Sequence, residues 1–334
     1  MSNNIAMIHG SGGAATGELI HEVFASAFNN TVLDAMEDAA VVSAMSGERL
    51  AVTTDSFVVT PVEFRGGDIG RLAVCGTVND LLMRGAVPKY ITSAWILETG
   101  ADIDMLKRVV DSMAKTAAEA GVSVICGDTK VVEGRGGIYV NTTGVGYVPE
   151  GVDISAKLAK PGDVILVSGT MGDHHAAILS ERMSIDTDIQ SDVAPLCEMC
   201  EGLRKLRVHT MRDVTRGGLG TVLKELAIAS DTVFEIEDEL VPVDGKVRDF
   251  CGLLGLDPMY MGNEGKLVAI VDAEDADAAL EVMRQAKYGA GAARIGSVKE
   301  ADEKSKAGTL YVKTKIGGIR ELDVLQGEGL PRIC

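Results

Sequence analysis

The sequence lacks the features that mark membrane-spanning, secreted or nucleic-acid-binding proteins. Aromatic residues make up only 4% of its 334 residues. No apolar run reaches the roughly 18 residues that a membrane-spanning helix needs. The first residues carry neither the basic nor the apolar stretch of a secretion signal. Positive charge is scarce, since 32 Lys and Arg against 49 Asp and Glu give a net charge of −17. Nucleic acid and anionic membranes are therefore poor partners, and we expect a cytoplasmic protein.

Cysteine is also sparse and scattered, with six residues in the chain. This pattern does not build a disulfide framework and favours a reducing compartment. Cys197 and Cys200 have the C-x-x-C spacing of redox and zinc sites, but they share one face of a helix predicted near 191–206 and have no second pair. Buried thiols are the simpler interpretation. His174 and His175 lack a third ligand and indicate a turn or a helix start.

Alternating helical and strand patterns predict an α/β (α+β) protein of two domains. Turn-rich sequence at 149–163 predicts the boundary between them. The predicted segments are a flexible Gly-rich loop and helix (1–40), an amino-terminal domain (41–150), a carboxy-terminal α/β domain (151–322) and a mobile tail (323–334). Predicted strands are 48–59 (interrupted at 53–56), 90–97, 122–126, 138–143, 164–168, 232–237, 266–271, 293–298 and 309–314. Predicted helices are 18–28, 69–84 (with Asp68 as its N-cap), 103–120, 191–206, 217–230, 245–254 and 274–287.

Four aspartates stand beside small or turn-forming residues at predicted strand ends. They are Asp55, Asp80, Asp128 and Asp213. Carboxylates placed in this way suit Mg²⁺, which takes one or two of them and leaves its other positions to water and phosphate. Turn aspartates that cap local N–H groups are the alternative.

Glycine accounts for 39 residues, and two glycine-rich stretches, 10–17 and 217–220, are candidate phosphate cradles. Neither is a Walker A loop, and the first follows no predicted strand, so a dinucleotide-binding fold is not indicated. Flexible loops are the alternative interpretation. Cys334 ends the sequence after a stretch without periodicity, where packing in a core does not explain it. A nucleophilic sulfur on such a tail could hold a small group covalently, and an incidental exposed thiol is the alternative.

Together these motifs resemble a known family. The segments that carry the resemblance are Thr53-Thr54-Asp55, Gly76-Thr77-Val78-Asn79-Asp80-Leu81, Gly127-Asp128-Thr129-Lys130-Val131-Val132, Asp213-Val214-Thr215-Arg216-Gly217-Gly218-Leu219 and Pro331-Arg332-Ile333-Cys334. They are similar to the HypE family of hydrogenase maturation factors, within the superfamily of aminoimidazole-ribonucleotide synthetase-like ATPases. The resemblance covers essentially the whole chain, and its closing Pro-Arg-Ile-Cys separates that family from its relatives.

The resemblance implies a two-domain fold whose amino-terminal sheets pair in a homodimer, with ATP and Mg²⁺ between the domains. It implies that HypF delivers a carbamoyl group to Cys334 and that ATP drives its dehydration to a thiocyanate. The cyanide would then pass to iron on a HypC–HypD complex, as a ligand of [NiFe]-hydrogenase.

The resemblance also implies roles for single residues. Catalytic roles fall to Cys334 as acceptor, to Lys130 as phosphate-neutralising group or base, and to Glu264 in proton handling. The expected nucleotide-binding residues are Gly12, Gly13, Asp55, Asp80, Asp128, Thr129, Lys130, Arg216 and Asn263, and the expected Mg²⁺ ligands are Asp55, Asp80, Asp128 and Asp213.

Arg216 departs from the superfamily pattern, because related thiamine-monophosphate kinases carry an aspartate at this position. A guanidinium cannot bind a metal but suits phosphate. Two other functions stay open at this point. One is another ATPase of the superfamily, a small-molecule kinase or a selenophosphate synthetase, although the latter's reactive Cys or selenocysteine is missing from 10–17. The other is a non-enzymatic ATP-binding scaffold.

Overall fold

The structure, a computed structural model, describes residues 4–6, 19–28, 49–215, 217–303 and 305–325. Contacts within the chain divide it into two compact units. Of the described residues, unit 1 comprises those up to Leu81 and Ala86–Glu150, whereas unit 2 comprises Leu82–Gly85 and those from Gly151 to Leu325.

Unit 1 is built on a four-stranded mixed sheet. Its strands are β1 (Arg49–Phe57), the short β2 (Glu63–Phe64) and β3 (Gly67–Asp68), β4 (Val87–Glu98), β5 (Ser123–Val132) and β6 (Ile138–Val148), and its helices are α1 (Ile69–Met83) and α2 (Ile103–Ala120). The sheet order is β1-β6-β4-β5, with β6 antiparallel to β1 and β4 and with β5 parallel to β4. Strand β6 alternates buried and half-buried residues, which shows that one face of the sheet is covered.

Local sequence explains how the two helices of unit 1 begin and pack. Asp68 accepts hydrogen bonds from the amides of Gly70 and Arg71 at 2.7 and 3.0 Å, which confirms it as the N-cap of α1. Asp102 caps α2 by accepting from the Met105 amide at 2.7 Å. The apolar stripe predicted for α2 is buried along its length.

Residues 19–28 form one further helical segment, a π-helical turn over Ile20–Ala25 followed by Ser26–Phe28, where the sequence predicts a helix over 18–28. Phe24 of this segment packs against Trp95 of β4, with ring centroids 5.5 Å apart.

Unit 2 is built on a seven-stranded mixed sheet covered by helices. Its strands are β7 (Val164–Val167), β8 (Val208–Asp213), β9 (Val233–Glu237), β10 (Leu267–Val271), β11 (Ala293–Lys299), β12 (Thr309–Lys313) and β13 (Ile319–Leu322). Its helices are α3 (Asp173–Arg182), α4 (Cys197–Leu203), α5 (Gly218–Ser230), α6 (Gly245–Leu254) and α7 (Ala276–Gln285). The sheet order is β13-β12-β9-β11-β7-β10-β8. Strands β7 and β10 are buried at every position, as their unbroken apolar runs predict.

The structure corrects several predicted elements. Strand β1 runs without a break through Thr53-Thr54-Asp55-Ser56, and β5 continues to Val132 instead of ending at Cys126. Cross-strand pairing overrides the local turn preference in both places. Helix α3 and strands β8 and β13 were not predicted, and the helix expected near 191–206 is confined to α4.

Candidate active site

Two of the predicted metal ligands, Asp55 and Asp80, lie where β1 meets α1. Along β1 the odd-numbered residues from Ala51 to Phe57 are the more buried ones, so Asp55 lies on the face that α1 covers. The Thr53 hydroxyl donates to Asp80 Oδ2 at 2.9 Å, and a Cβ at Gly76, one turn before Asp80, would lie 3.7 Å from Asp55 Oδ2. The structure therefore brings these two carboxylates to one side of the sheet.

Glycine at position 76 allows α1 to pack closely against Phe57 of β1. A Cβ there would lie 2.8 Å from two ring carbons of Phe57, which is too close for a larger residue without rearrangement. The next residue, Thr77, is fully buried and hydrogen-bonds through its hydroxyl to the hydroxyl of Thr142 on β6. These contacts fix α1, and with it Asp80, against the sheet.

Asp128 and Lys130 lie on the opposite face of that sheet. In the register of the sheet, Asp55 is in one row of paired residues with Thr142, Ser93 and Gly127. Asp128 is in the next row, with Ala94, Asn141 and Ser56. Directly paired residues share a face and neighbours along a strand alternate, so Asp55 and Asp128 point to opposite sides. Within one chain, the structure therefore does not bring Asp128 to the side of the sheet that carries Asp55 and Asp80, and its role as a ligand stays a prediction.

A register shift is the physical reason for this difference. Strand β4 pairs Ile91 with Val124 and Thr92 with Cys126, which leaves Ile125 without a partner residue. One inserted residue reverses the face of every side chain that follows it. Asp128 and Thr129 consequently exchange sides, and Thr129 is buried on the helix-covered face.

Asp128 and Lys130 form an exposed ion pair. The Lys130 Nζ lies 2.8 Å from Asp128 Oδ2, and both side chains are about two-thirds exposed, 64% for Asp128 and 63% for Lys130. The hydrogen bond from Lys130 holds the pKa of Asp128 below its usual value. The pair thus carries both charges on the sheet face that no described helix covers.

Asp213 belongs to unit 2, where it ends β8 and pairs in register with Leu267 of β10. It is buried, and it is the one aspartate of the four that does lie at a strand end. The strand-end expectation is wrong for the other three. Asp55 and Asp128 lie within strands, and Asp80 lies within α1.

Asn263 cross-links three segments of unit 2. Its amide nitrogen donates to the carbonyls of Val214 and Met261, and its amide oxygen accepts from the Gly172 amide at 2.8 Å. The residue is fully buried, and both of its N–H donors are used by the backbone. The side chain of Asn263 thus fixes the backbone around it, and its predicted role in nucleotide binding stays a prediction.

Glu264 follows directly and is held with its neighbours by Asp192. Asp192 Oδ1 accepts from the Glu264 amide at 3.2 Å, and Oδ2 accepts from the Gly265 amide at 3.2 Å and from Lys266 Nζ at 3.1 Å. Glu264 itself is 4% exposed, so this carboxyl group lies in the interior of unit 2. Sequence reasoning missed Asp192, because 72 residues separate it from Glu264 and no local motif marks it.

A second cluster in unit 2 has the composition of a metal site. Single ligand atoms of Asp163, His209 and Asp272 lie within 4.8 Å of one another. These groups are already engaged, since Asp163 Oδ2 accepts from the Lys160 amide and lies 2.9 Å from His209 Nδ1, while Asp272 pairs with Lys160 and Arg207. The cluster is an ion-pair network.

The remaining sequence candidates fall into two groups. Cys200 is buried on α4, as predicted, and burial raises the pKa of its thiol far above the usual value. The prediction is wrong for Cys197, which is only half-buried. His175 is buried near the start of α3. Gly12, Gly13, Arg216 and Cys334 lie outside the described residues.

Comparison with known proteins defines the class first. The family of AIR synthase related proteins matches with its N-terminal domain over residues 36–148 and with its C-terminal domain over residues 160–307. The chain therefore belongs to the AIR synthase related proteins, which confirms the predicted two-domain fold class. No helix of the described segments is long and apolar enough to cross a bilayer.

Close relatives then define the family within that class. The carbamoyl dehydratase HypE of Cupriavidus necator is 48% identical over 339 residues, which cover 100% of this chain and 95% of that protein. The carbamoyl dehydratase HypE of Escherichia coli K12 is 43% identical over 342 residues, 99% of this chain and 100% of that protein. The chain belongs to the family of HypE carbamoyl dehydratases, as its motifs predict.

Solved structures agree with this assignment. A crystal structure of the hydrogenase maturation protein HypE in complex with ATP is 46% identical, covers 98% of this chain and 99% of that one, and superposes with a TM-score of 0.94. A HypE–HypF complex contains a chain that is 45% identical, with 92% of this chain and 99% of that chain covered and a TM-score of 0.79.

Proposed function

We propose that this chain is an ATP-dependent carbamoyl dehydratase that converts an S-carbamoyl group on Cys334 to a thiocyanate. The product supplies cyanide for the iron centre of [NiFe]-hydrogenase. The observation that carries the proposal is identity of 48% over the full chain to a carbamoyl dehydratase HypE, supported by a 46% identical HypE in complex with ATP.

The reaction is balanced as an ATP-driven loss of water. Water is hard to eliminate from a primary amide because its oxygen is a poor leaving group. Transfer of the γ-phosphoryl group to the carbamoyl oxygen releases ADP and turns that oxygen into part of a phosphate. The nitrogen then gives up its two protons, the C–O bond breaks towards phosphate, and the carbon–nitrogen triple bond forms. This step needs positioned phosphates and proton acceptors.

Asp55 and Asp80 fit a Mg²⁺ site. Both are partly exposed carboxylates on one side of the sheet, held close by Thr53 and Gly76, and two carboxylates are what Mg²⁺ usually takes from a protein. When bound, Mg²⁺ neutralises phosphate charge and orients the γ-phosphoryl group. Asp128 and Asp213 stay predictions as further ligands, as do Gly12, Gly13, Thr129 and Arg216 as nucleotide-binding residues.

We assign proton handling to Glu264, because its carboxyl group is buried and its backbone is fixed by neighbouring side chains. Lys130 is a cation beside Asp128, which suits the neutralisation of phosphate. The acceptor of the carbamoyl group is Cys334.

We further propose that two chains pair through the outward face of the unit 1 sheet, which no helix among the described residues covers. Its outward-facing residues include Leu50, Val52, Ile96 and Val132, which are 62%, 65%, 47% and 40% exposed. Exposed apolar side chains on a sheet face are typical of an interaction surface. A second copy offers the same face, as a two-fold dimer requires.

The partners follow from the family and the chemistry. HypF is the expected carbamoyl donor, since a HypE of 45% identity is known in complex with it. A HypC–HypD complex is the expected cyanide acceptor. Cytoplasmic location is supported by the described cysteines, Cys75, Cys126, Cys197, Cys200 and Cys251, none of which forms a disulfide.

Mass spectrometry of the carboxy-terminal peptide tests the function. After incubation with HypF, carbamoyl phosphate and ATP, the peptide should gain one carbamoyl group and then lose one water. Cys334→Ala should abolish both changes and the carbamoyl-dependent ATP turnover while ATP binding persists. An unmodified peptide with unchanged turnover would instead support a small-molecule kinase.

A further inference from the structure

The segment Asn263-Glu264-Gly265-Lys266 is clamped on both sides of Glu264. On one side, the buried amide of Asn263 bonds the carbonyls of Val214 and Met261 and the amide of Gly172. On the other side, Asp192 receives three donors from three consecutive residues, the Glu264 amide, the Gly265 amide and the Lys266 ammonium.

The Asp192 clamp is built into the interior. The Asp192 side chain is 3% exposed and that of Lys266 is 10% exposed, so the pair is shielded from water. The backbone also interlocks, because the Ala194 amide donates to the Glu264 carbonyl, and a Cβ at Gly265 would lie 1.9 Å from the Asp192 carbonyl oxygen. Glycine is required at position 265 for this contact.

These contacts fix the direction in which the Glu264 side chain leaves the backbone. Two successive amides that point at one carboxylate set the orientation of both peptide planes around Glu264. The charge of Asp192 is balanced by Lys266, so the clamp adds no net charge beside Glu264. A buried acid–base group needs such support, since small displacements of a reacting group cost rate steeply.

We propose that Asp192 is a positioning residue for the dehydration, acting through Glu264. The inference rests on the proposed role of Glu264 in proton handling. Asp192 is expected to contribute to turnover and not to the binding of ATP.

A double-mutant cycle tests the proposal on the full chain supplied with HypF, carbamoyl phosphate and ATP. Asp192→Asn keeps the volume but replaces one acceptor with a donor facing Gly265 and Lys266. We expect the kcat of carbamoyl-dependent ATP turnover to fall about 10- to 100-fold, with the KM for ATP changed less than about twofold. In Asp192→Asn/Glu264→Gln the loss should be no greater than in Glu264→Gln alone, because both changes disable one group.

Asp163→Asn is the matched control, because Asp163 is an equally buried aspartate of unit 2 that anchors Lys160 and His209 instead. It should lower thermal stability yet keep kcat per folded molecule. If Asp192→Asn does not fold, Lys266→Met removes the 3.1 Å contact to Asp192 and leaves both backbone bonds, and it should give the same non-additivity with a smaller loss.

The outcomes separate the two proposals. Two results would overturn the positioning role while the dehydratase function stands. One is a double variant whose loss in kcat equals the product of the losses from Asp192→Asn and Glu264→Gln. The other is an unchanged kcat in Asp192→Asn. Full turnover in Glu264→Gln would remove the role of Glu264 and with it that of Asp192. Wild-type protein without carbamoyl-dependent turnover would contradict the proposed function itself.

Discussion

At the residue scale, Asp80 owes its position to Thr53, whose hydroxyl donates to it across the junction of β1 and α1. Helix α1 can lie close to β1 beside Asp55 because residue 76 has no side chain to clash with the Phe57 ring. A threonine and a glycine thus support this junction, and neither of them is a metal ligand in our proposal.

Asp80→Asn should weaken Mg²⁺-dependent ATP binding at least about tenfold, or roughly 1.4 kcal/mol, because an amide is a much poorer magnesium ligand than a carboxylate. The fold should persist, since the amide oxygen can still accept from Thr53. Calorimetric titration with ATP, with and without Mg²⁺, measures this loss. Asp104→Asn, an exposed residue of α2 in the same unit, is the control. Equal affinity in the two variants would remove Asp80 from the site.

His175 predicts a pH dependence of stability. Burial, with the nearby positive charges of His174 and Arg182, lowers the pKa of His175 to about 4 from 6.5. The unfolded chain therefore binds a proton below about pH 6.5 that the folded chain does not bind until about pH 4. The contribution of neutral, buried His175 to the free energy of unfolding is fully present above pH 6.5. This free energy should fall by about 3 kcal/mol as the pH drops from 6.5 to about 4.

Chemical denaturation at several pH values measures the effect, and His175→Gln removes the titrating group. The variant should show a flatter decline between pH 6.5 and pH 4 than the wild type. A decline of unchanged slope would show that His175 titrates normally in the folded protein.

At the scale of elements, the N-cap of α2 is a local contribution that can be measured separately. Asp102→Ala removes the acceptor of the Met105 amide and should cost about 1 kcal/mol. Urea unfolding followed by Trp95, the only tryptophan in the chain, reports on unit 1. Asp111→Ala, which loses only an exposed pair with Lys115, should change stability by less than about 0.5 kcal/mol. An equal loss of unfolding free energy in the two variants would show that the Asp102 cap does not stabilise α2.

The elements also show how far the sequence alone leads. The stripe of α2, the Asp68 cap and the buried runs of β7 and β10 follow from spacing and composition, and all are seen. Helix α3 was missed because Gly-Asp-His-His resembles a turn, and its start depends on the bond from Gly172 to Asn263, 91 residues away. The faces of Asp55 and Asp128 depend on a register that only pairing with β4 determines.

At the scale of the whole molecule, the outward face of the unit 1 sheet, which no described helix covers, predicts self-association. Val52→Lys places a charge at an exposed apolar position of this face and should weaken the dimer at least about 100-fold, or roughly 3 kcal/mol. Sedimentation velocity over a concentration series measures the change. Leu253→Lys is the control, because Leu253 is 73% exposed on α6 of unit 2 and not on this face. A Val52→Lys protein that sediments as the wild type does would place the contact elsewhere.

The unmatched Ile125 has a consequence for how this chain tolerates change. A substitution near Ile125 leaves the alternation of side chains between the two faces of β5 unchanged. Deletion of Ile125 would turn each following side chain to the opposite face of the sheet. Asp128 and Lys130 would then enter the apolar layer beneath α1 and α2, and Thr129 and Val131 would face outward. Two charges in that layer cost far more than a domain's margin of stability, so the length of this strand is constrained more tightly than its composition.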